Sequence, residues 1–128
     1  MTPTDLCHAY LDALNTGDLA AVLALFTPDA TVVSPLYGVT PASDFYAGLF
    51  ADTQASDTSL LNVFDNAADD GSVALHFRYT WTLRGGKIVS FECVDVFALS
   101  ADRQRFEKLT IIYDTAPLRG DFNAVTQS

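Results

Sequence analysis

The hydrophobic period of the sequence changes partway along the chain, and this change limits the possible folds more than any other feature. Near the N-terminus, Leu6, Tyr10, Ala13 and Leu14 recur at helical spacing and form one apolar stripe. From residue 73 the period becomes two, as in a long β-strand. The alternating apolar residues are Val73, Leu75, Phe77, Tyr79, Trp81 and Leu83. Helices followed by strands favour an α+β domain over a parallel-sheet fold.

We therefore expect three N-terminal helices packed on a curved antiparallel sheet, forming a cone. The apolar and turn patterns predict strands over residues 30–34, 60–66, 73–83, 88–99 and 106–113. Residues 1–116 should form a single domain, and 117–128 a polar C-terminal tail. The strands from residue 73 onward are apolar on parts of both faces, so the face away from the helices also needs cover. A second copy of the sheet would supply it, which predicts a homodimer.

Charge and hydropathy exclude several classes of partner. The chain has 7 Lys and Arg against 16 Asp and Glu, and none of the basic residues precedes Arg78. It therefore lacks the basic surface needed to bind nucleic acid or anionic membranes. The longest apolar run, residues 19–26, is far shorter than the roughly 20 residues of a membrane-spanning helix. No secretory signal pattern is visible at the N-terminus, so we expect a cytoplasmic protein.

Neither a metal nor a cofactor is expected. The two cysteines, Cys7 and Cys93, have no metal-motif spacing, and no Cys/His cluster accompanies them. The sequence also has no glycine-rich phosphate loop, because Gly85-Gly86 has the pattern of a hairpin turn.

Asp95 is the first candidate for a functional residue. It lies in the middle of a predicted strand and, by alternation, shares a face with Phe91, Cys93, Phe97 and Leu99. A carboxyl group among apolar neighbours is desolvated, which raises its pKa. An acid is rarely kept in such surroundings for packing alone, although a buried Asp with its hydrogen bonds satisfied remains the alternative.

Tyr10 is the second candidate. It occupies the middle of the apolar stripe of the first helix, so its ring should be buried and its hydroxyl group should need a hydrogen-bond partner. The alternative is a core tyrosine bonded to a backbone carbonyl. We expect an acid and a tyrosine to meet in an apolar cavity that suits a flat, apolar small molecule. The expected lining is Leu14, Phe26, Ser34, Trp81, Cys93, Phe97, Ile111 and Tyr113.

Several segments resemble the ketosteroid isomerases, which belong to the SnoaL-like and NTF2-like superfamily. The resemblance is carried by residues 10–19 (YLDALNTGDL), 22–26 (VLALF), 29–32 (DATV), 45–47 (FYA) and 94–97 (VDVF). It implies an NTF2-like cone. The segment ALNTGDL is of a type shared across the superfamily, so it specifies the fold better than the activity.

The resemblance also implies roles for individual residues. It places Tyr10 on the tyrosine that donates to the substrate oxyanion, and Asp95 on the protonated aspartic acid beside it. Tyr46 falls on a supporting tyrosine that hydrogen-bonds the first one. Two donors that converge in a dry cavity would stabilise an enolate or a phenolate-like oxygen. Ser34, however, stands where the isomerases carry their general base, an aspartate just before the proline that ends the first strand.

This departure separates two hypotheses about function. A serine has no basicity near pH 7, so steroid isomerisation by the family mechanism is not expected. In the first hypothesis, Asp95 itself is the acid/base, as in SnoaL-like cyclases and related hydratases, and the reaction is an isomerisation, an aldol-type cyclisation or a dehydration. The second hypothesis is a non-catalytic module for ligand binding or dimerisation.

The strand register leaves one further alternative open. His76 and Arg78 lie on the strand face opposite Phe77 and Tyr79, which predicts a position on the dimer or solvent side. If a bulge reversed the register before Trp81, Arg78 would point inward and could pair with Asp95.

Overall fold

The computed structural model describes residues 1–66 and 71–116. Three helices and six strands follow one another along the chain. In order they are α1 (Pro3–Thr16), α2 (Leu19–Leu23), β1 (Phe26–Ser34), β2 (Gly38–Pro41), α3 (Ala42–Ala51), β3 (Thr53–Asp65), β4 (Ser72–Leu83), β5 (Ile88–Leu99) and β6 (Phe106–Ile112).

Local sequence signals fix both ends of α1, the helix that carries the apolar stripe. Thr2 caps its N-terminus, and the Thr2 and Asp5 side chains each accept a hydrogen bond from the other's backbone N–H. Gly17 ends the helix in the left-handed conformation, with φ 67°. The helix is thereby held in one position along its axis, which fixes where Tyr10 faces the sheet.

The six strands form one sheet in the order β2-β1-β6-β5-β4-β3. The predicted α+β class with three helices is confirmed. One expectation needs correction, because the sheet is mixed rather than wholly antiparallel: β1 runs parallel to β6, with Val33 opposite Thr110. All other neighbouring strands pair antiparallel.

Two edge strands extend beyond the sequence-based prediction. The sequence pattern does not predict β2, and β3 begins at Thr53 rather than at residue 60. Residues 53–59 are polar or small and largely exposed, so they carry no hydrophobic alternation. β2 contains a glycine and a proline, which are depleted from strand interiors. Both are edge strands, where a single hydrogen-bonded neighbour is enough to hold the chain extended.

The register of β4 and β5 decides which side chains face the helices. Their pairing runs without a bulge from Ser72–Ala98 to Thr82–Ile88. Arg78 therefore points outward, where its side chain contacts Glu92 at 3.5 Å, and His76 Nε2 lies 2.9 Å from the same carboxylate. The alternative in which Arg78 turns inward to Asp95 is wrong.

Two phenylalanines that we expected in the cavity lining belong instead to the core. The rings of Phe97 and Phe106 stack with centroids 3.9 Å apart, and Phe26 packs against Phe106 at 5.4 Å. Phe97 shares the inner face with Asp95, but it lies two residues, roughly 7 Å, further along the strand. That displacement takes it past the end of the cavity into the packed aromatic cluster.

Within residues 1–66 and 71–116, no helix combines the length and the apolar character needed to cross a membrane. The predicted polar tail, residues 117–128, lies outside the described residues. The single-domain boundary and the cytoplasmic location stay predictions.

Candidate active site

A cavity of about 450 Å³, a volume that includes its opening to solvent, lies on the inner face of the sheet beneath α1 and α3. Six of the eight residues expected to line it do border it, namely Leu14, Ser34, Trp81, Cys93, Ile111 and Tyr113. Tyr10 and Asp95 also face it. No Lys, Arg or His is among the described residues that border this cavity, so its only formal charge is the one that Asp95 can carry.

Asp95 is an almost completely buried carboxyl group, with 2% of its surface exposed. Desolvation raises its pKa to about 7, and hydrogen bonds from the Cys93 thiol and the Tyr10 hydroxyl oppose this rise. The Cys93 Sγ donates to Asp95 Oδ1 at 3.1 Å. Near neutral pH the group is therefore divided between its neutral and ionised forms, so it can both give and accept a proton.

The Tyr10 hydroxyl group lies 2.8 Å from the Tyr46 hydroxyl group. Both residues are buried, and burial raises the pKa of each well above the usual value of a tyrosine, so both stay neutral. A hydroxyl group has one proton to donate. When Tyr10 donates its hydrogen toward Asp95 or a ligand, its oxygen accepts the hydrogen bond from the Tyr46 hydroxyl group. The pair thus supplies one hydrogen-bond donor to the cavity, Tyr10, which is positioned by Tyr46 on α3.

Ser34, at the end of β1, holds the turn that follows it. Its Oγ accepts hydrogen bonds from the backbone N–H groups of Leu36 and Tyr37, each at 3.2 Å. The turn carries Tyr37 over the cavity, where its hydroxyl group donates to Asp52 Oδ2 at 2.7 Å. The Ser34 side chain therefore stabilises the turn after β1 and also borders the cavity.

The inner wall of the cavity is aromatic because β4 places alternate side chains there. The polar atoms of two of these rings are bound to β3: Tyr79 Oη lies 2.8 Å from Ser56 Oγ, and Trp81 Nε1 donates to Thr53 Oγ1 at 2.8 Å. Their ring faces are left as an apolar surface. Such a wall suits a flat, apolar molecule and excludes water around Asp95.

Sequence analysis missed several residues that border the cavity. They are Tyr37, Phe45, Leu49, Phe77, Tyr79 and Phe91. Alternation with Asp95 already placed Phe91 on the inner face, and Phe77 and Tyr79 alternate with Trp81, which was expected to line the cavity. Tyr37 had no comparable signal, since its position depends on the path of a turn that only the structure reveals. Among the described residues, no group of three or more His, Cys, Asp or Glu side chains could hold a metal ion.

Comparison with known proteins gives matches in sequence and in structure. Residues 7–105 match the SnoaL-like domain. A steroid Δ-isomerase of Nocardioides simplex is 38% identical over 100 residues, which cover 74% of this chain and 76% of that protein.

Two solved structures share the fold at low sequence identity. A protein with a ketosteroid isomerase-like fold from Catenulispora acidiphila, in complex with trimethylamine, has a TM-score of 0.78 at 14% identity and covers 96% of this chain and 95% of its own. An NTF2-like protein of unknown function from Cytophaga hutchinsonii has a TM-score of 0.72 at 19% identity, with coverages of 92% and 95%. The three helices and the mixed six-stranded sheet thus form the NTF2-like fold.

The raised pKa of Asp95 predicts how stability depends on pH. Between the ordinary pKa of 3.8 and about 7, the folded protein holds a proton that the unfolded chain releases. The contribution of Asp95 is therefore fully present below about pH 4 and is lost as pH rises through 7. We expect Asp95→Asn to be more stable than the wild type at pH 8, by at most about 4 kcal/mol, with the difference shrinking toward pH 4.

Urea denaturation of both proteins at pH 4, 6 and 8 measures this difference. Asp12→Asn, at an exposed position on α1, is the matched control and should show no such trend. An Asp95→Asn variant that is less stable than the wild type at pH 8 would show instead that Asp95 is a structural hydrogen-bonding residue.

Proposed function

The chain belongs to the SnoaL-like domain family, and from that membership we propose that it is a cofactor-independent enzyme. Its substrate would be a small apolar molecule that bears a carbonyl group or is polycyclic. The observation that carries the proposal is the juxtaposition of a titratable carboxyl group and a supported tyrosine in an aromatic cavity.

In the proposed reaction, Asp95 is the acid/base. Its ionised form removes a proton from a carbon next to the substrate carbonyl, and its neutral form returns the proton to another carbon or to a leaving oxygen. Tyr10 donates to the oxygen on which negative charge develops, while Tyr46 donates to Tyr10. Isomerisation, aldol-type cyclisation and dehydration all share this enolate step.

A steroid isomerase mechanism that uses a second carboxylate as its base is not proposed for this chain. The resemblance to the isomerases implies that Ser34 occupies that position, and its Oγ accepts hydrogen bonds from the turn. This observation also favours the second candidate function, a non-catalytic module that binds a small ligand in the same cavity. The two candidates differ in turnover. If the chain is an enzyme, Asp95→Asn should abolish the turnover of its substrate. If the chain only binds a ligand, the wild type itself shows no turnover.

We also propose that the protein is a homodimer that pairs through the outer face of the sheet. Alternation places apolar side chains on that face, and we call them the outer apolar patch: Phe64, Ala74, Val94, Val96 and Ile112. Phe64 and Ile112 are 53% and 54% exposed. These two side chains lie on β3 and β6, at either side of β4 and β5 on the same outer face. Large apolar side chains left this open favour burial against a second copy.

A fluorescent phenol tests the oxyanion site directly. Equilenin, a flat polycyclic phenol, should bind the wild-type protein, and its affinity should fall as pH rises through about 7, because ionised Asp95 repels a phenolate. Tyr10→Phe should weaken binding by at least tenfold, the loss expected for a hydrogen bond to a charged oxygen. Fluorescence titration measures both effects.

Tyr79→Phe is the matched control, since it removes a hydroxyl group that is bound to Ser56 at the cavity wall. It should change the affinity by less than threefold. Equal affinities for the wild type and Tyr10→Phe would contradict the proposed role of Tyr10.

Introducing a carboxylate at position 34 tests whether the cavity lacks a general base there. The carboxylate introduced by Ser34→Asp could accept the same two backbone N–H groups in an Asx turn, so the fold should tolerate this substitution. We expect the variant to isomerise a 5-ene-3-ketosteroid at least tenfold faster than the wild type, because a positioned general base contributes about 10²–10⁴-fold. Absorbance of the conjugated enone measures the rate, and Ser34→Asn controls for shape. Equal rates in Ser34→Asp and Ser34→Asn would argue against a steroid-like binding mode.

The proposed dimer has its own test. Ile112→Lys puts a charge in the outer apolar patch and should convert the dimer to a monomer in analytical ultracentrifugation. Ala47→Lys, at an exposed site on α3, makes the same change in charge and should leave the dimer intact. A wild-type protein that sediments as a monomer at 100 μM would overturn the proposal.

A further inference from the structure

We propose that Ser34 is a hydrogen-bond donor to the bound ligand, and that it selects ligands that carry a second oxygen acceptor. The inference rests on the proposed function, since it concerns the ligand of the same cavity. It assigns Ser34 a positive role in specificity, in place of the missing base.

The hydrogen bonds around Ser34 leave one direction of its hydroxyl group unused. An sp³ oxygen has two lone pairs and one hydrogen. Both lone pairs accept backbone N–H groups, from Leu36 and from Tyr37. The hydroxyl hydrogen must then point away from the turn, and no described residue accepts it at hydrogen-bond distance. Ser34 borders the cavity and is only 6% exposed, so the hydrogen is directed to where a ligand would lie.

The strand register places Ser34 and Asp95 at opposite sides of one row across the sheet. Val33 pairs with Thr110, so one step further along these parallel strands brings Ser34 beside Ile111. Ile111 is in turn the partner of Asp95 on β5. The Cα atoms of Ser34 and Asp95 are thus two strand spacings apart, on the order of 10 Å. All three side chains border the cavity, with the apolar Ile111 between the two polar groups.

This row constrains the chemistry of the ligand. One oxygen would be held by Tyr10 and Asp95, and a second oxygen would accept from Ser34. A ligand without the second oxygen would leave the Ser34 hydroxyl group desolvated and unpaired, which costs affinity. The expected class is therefore a flat molecule with two oxygen functions, such as a hydroxyketone, a diketone or a diphenol.

A matched series of naphthols tests the inference with the intact protein. The probes are 2-naphthol, with one oxygen, and the 2,3-, 2,6- and 2,7-dihydroxynaphthalenes, with the second oxygen at different places. We expect the wild type to bind at least one diol three- to tenfold more tightly than 2-naphthol, the gain of one neutral hydrogen bond. Ser34→Ala should lose this preference while its affinity for 2-naphthol stays within threefold. Ser34→Thr, which keeps the hydroxyl group, should retain the preference.

The outcomes distinguish this inference from the proposed function. If the wild type binds 2-naphthol in a Tyr10-dependent manner but prefers no diol, or if Ser34→Ala keeps the preference, the role of Ser34 is overturned and the proposed function stands. If Tyr10→Phe binds every probe as well as the wild type does, or no probe binds, the proposed function fails and the inference fails with it. If Ser34→Ala does not fold, Ser34→Cys replaces it, because its sulfur is a weak acceptor for the turn and its S–H is only a weak donor. Its preference for the diol should be smaller than that of the wild type, and an unchanged preference would overturn the role of Ser34.

Discussion

The desolvation of a single carboxyl group, that of Asp95, is the constraint on which the site depends. Water is excluded from it by the aromatic wall of β4, and no cationic side chain borders the cavity among the described residues. Two weaker interactions, from the Cys93 thiol and the Tyr10 hydroxyl group, keep the ionised form accessible. The pKa near 7 is the balance of these opposing effects, and a change on either side would fix the group in one state.

The sheet register fixes the position of Asp95 and of the charged groups around it. Because β5 continues without a bulge beside β4, Asp95 is held in the middle of a rigid strand, and Arg78 is held on the opposite face. The helices then supply what the strands cannot. α1 brings Tyr10 over the sheet, and α3 brings Tyr46 to within hydrogen-bond distance of it. A donor pair built from two separate helices remains aligned only if both helices pack firmly on the same core.

Periodicity predicted the residues whose position depends on their own element. Asp95 followed from alternation within one strand, and Tyr10 followed from the stripe of one helix. What periodicity could not predict depends on contacts between distant elements. The parallel pairing of β1 with β6 joins residues more than 70 positions apart, and the polar start of β3 is extended because β4 lies beside it. For Phe97, alternation predicted the correct face of the sheet but not that the residue lies outside the cavity. Its position in the core depends on the stacking of its ring on that of Phe106.

The uncharged Ser34 side chain determines the electrostatics of the cavity more than its shape. An aspartate at this turn would accept the same two N–H groups, but it would place a second negative charge in the dry space that Asp95 shares. Two such carboxylates compete, and one of them is driven to stay neutral. With serine, the turn is held without charge, and Asp95 is left as the one group whose ionisation sets the charge of the cavity. The proposed proton transfer therefore takes place at a single residue rather than between two.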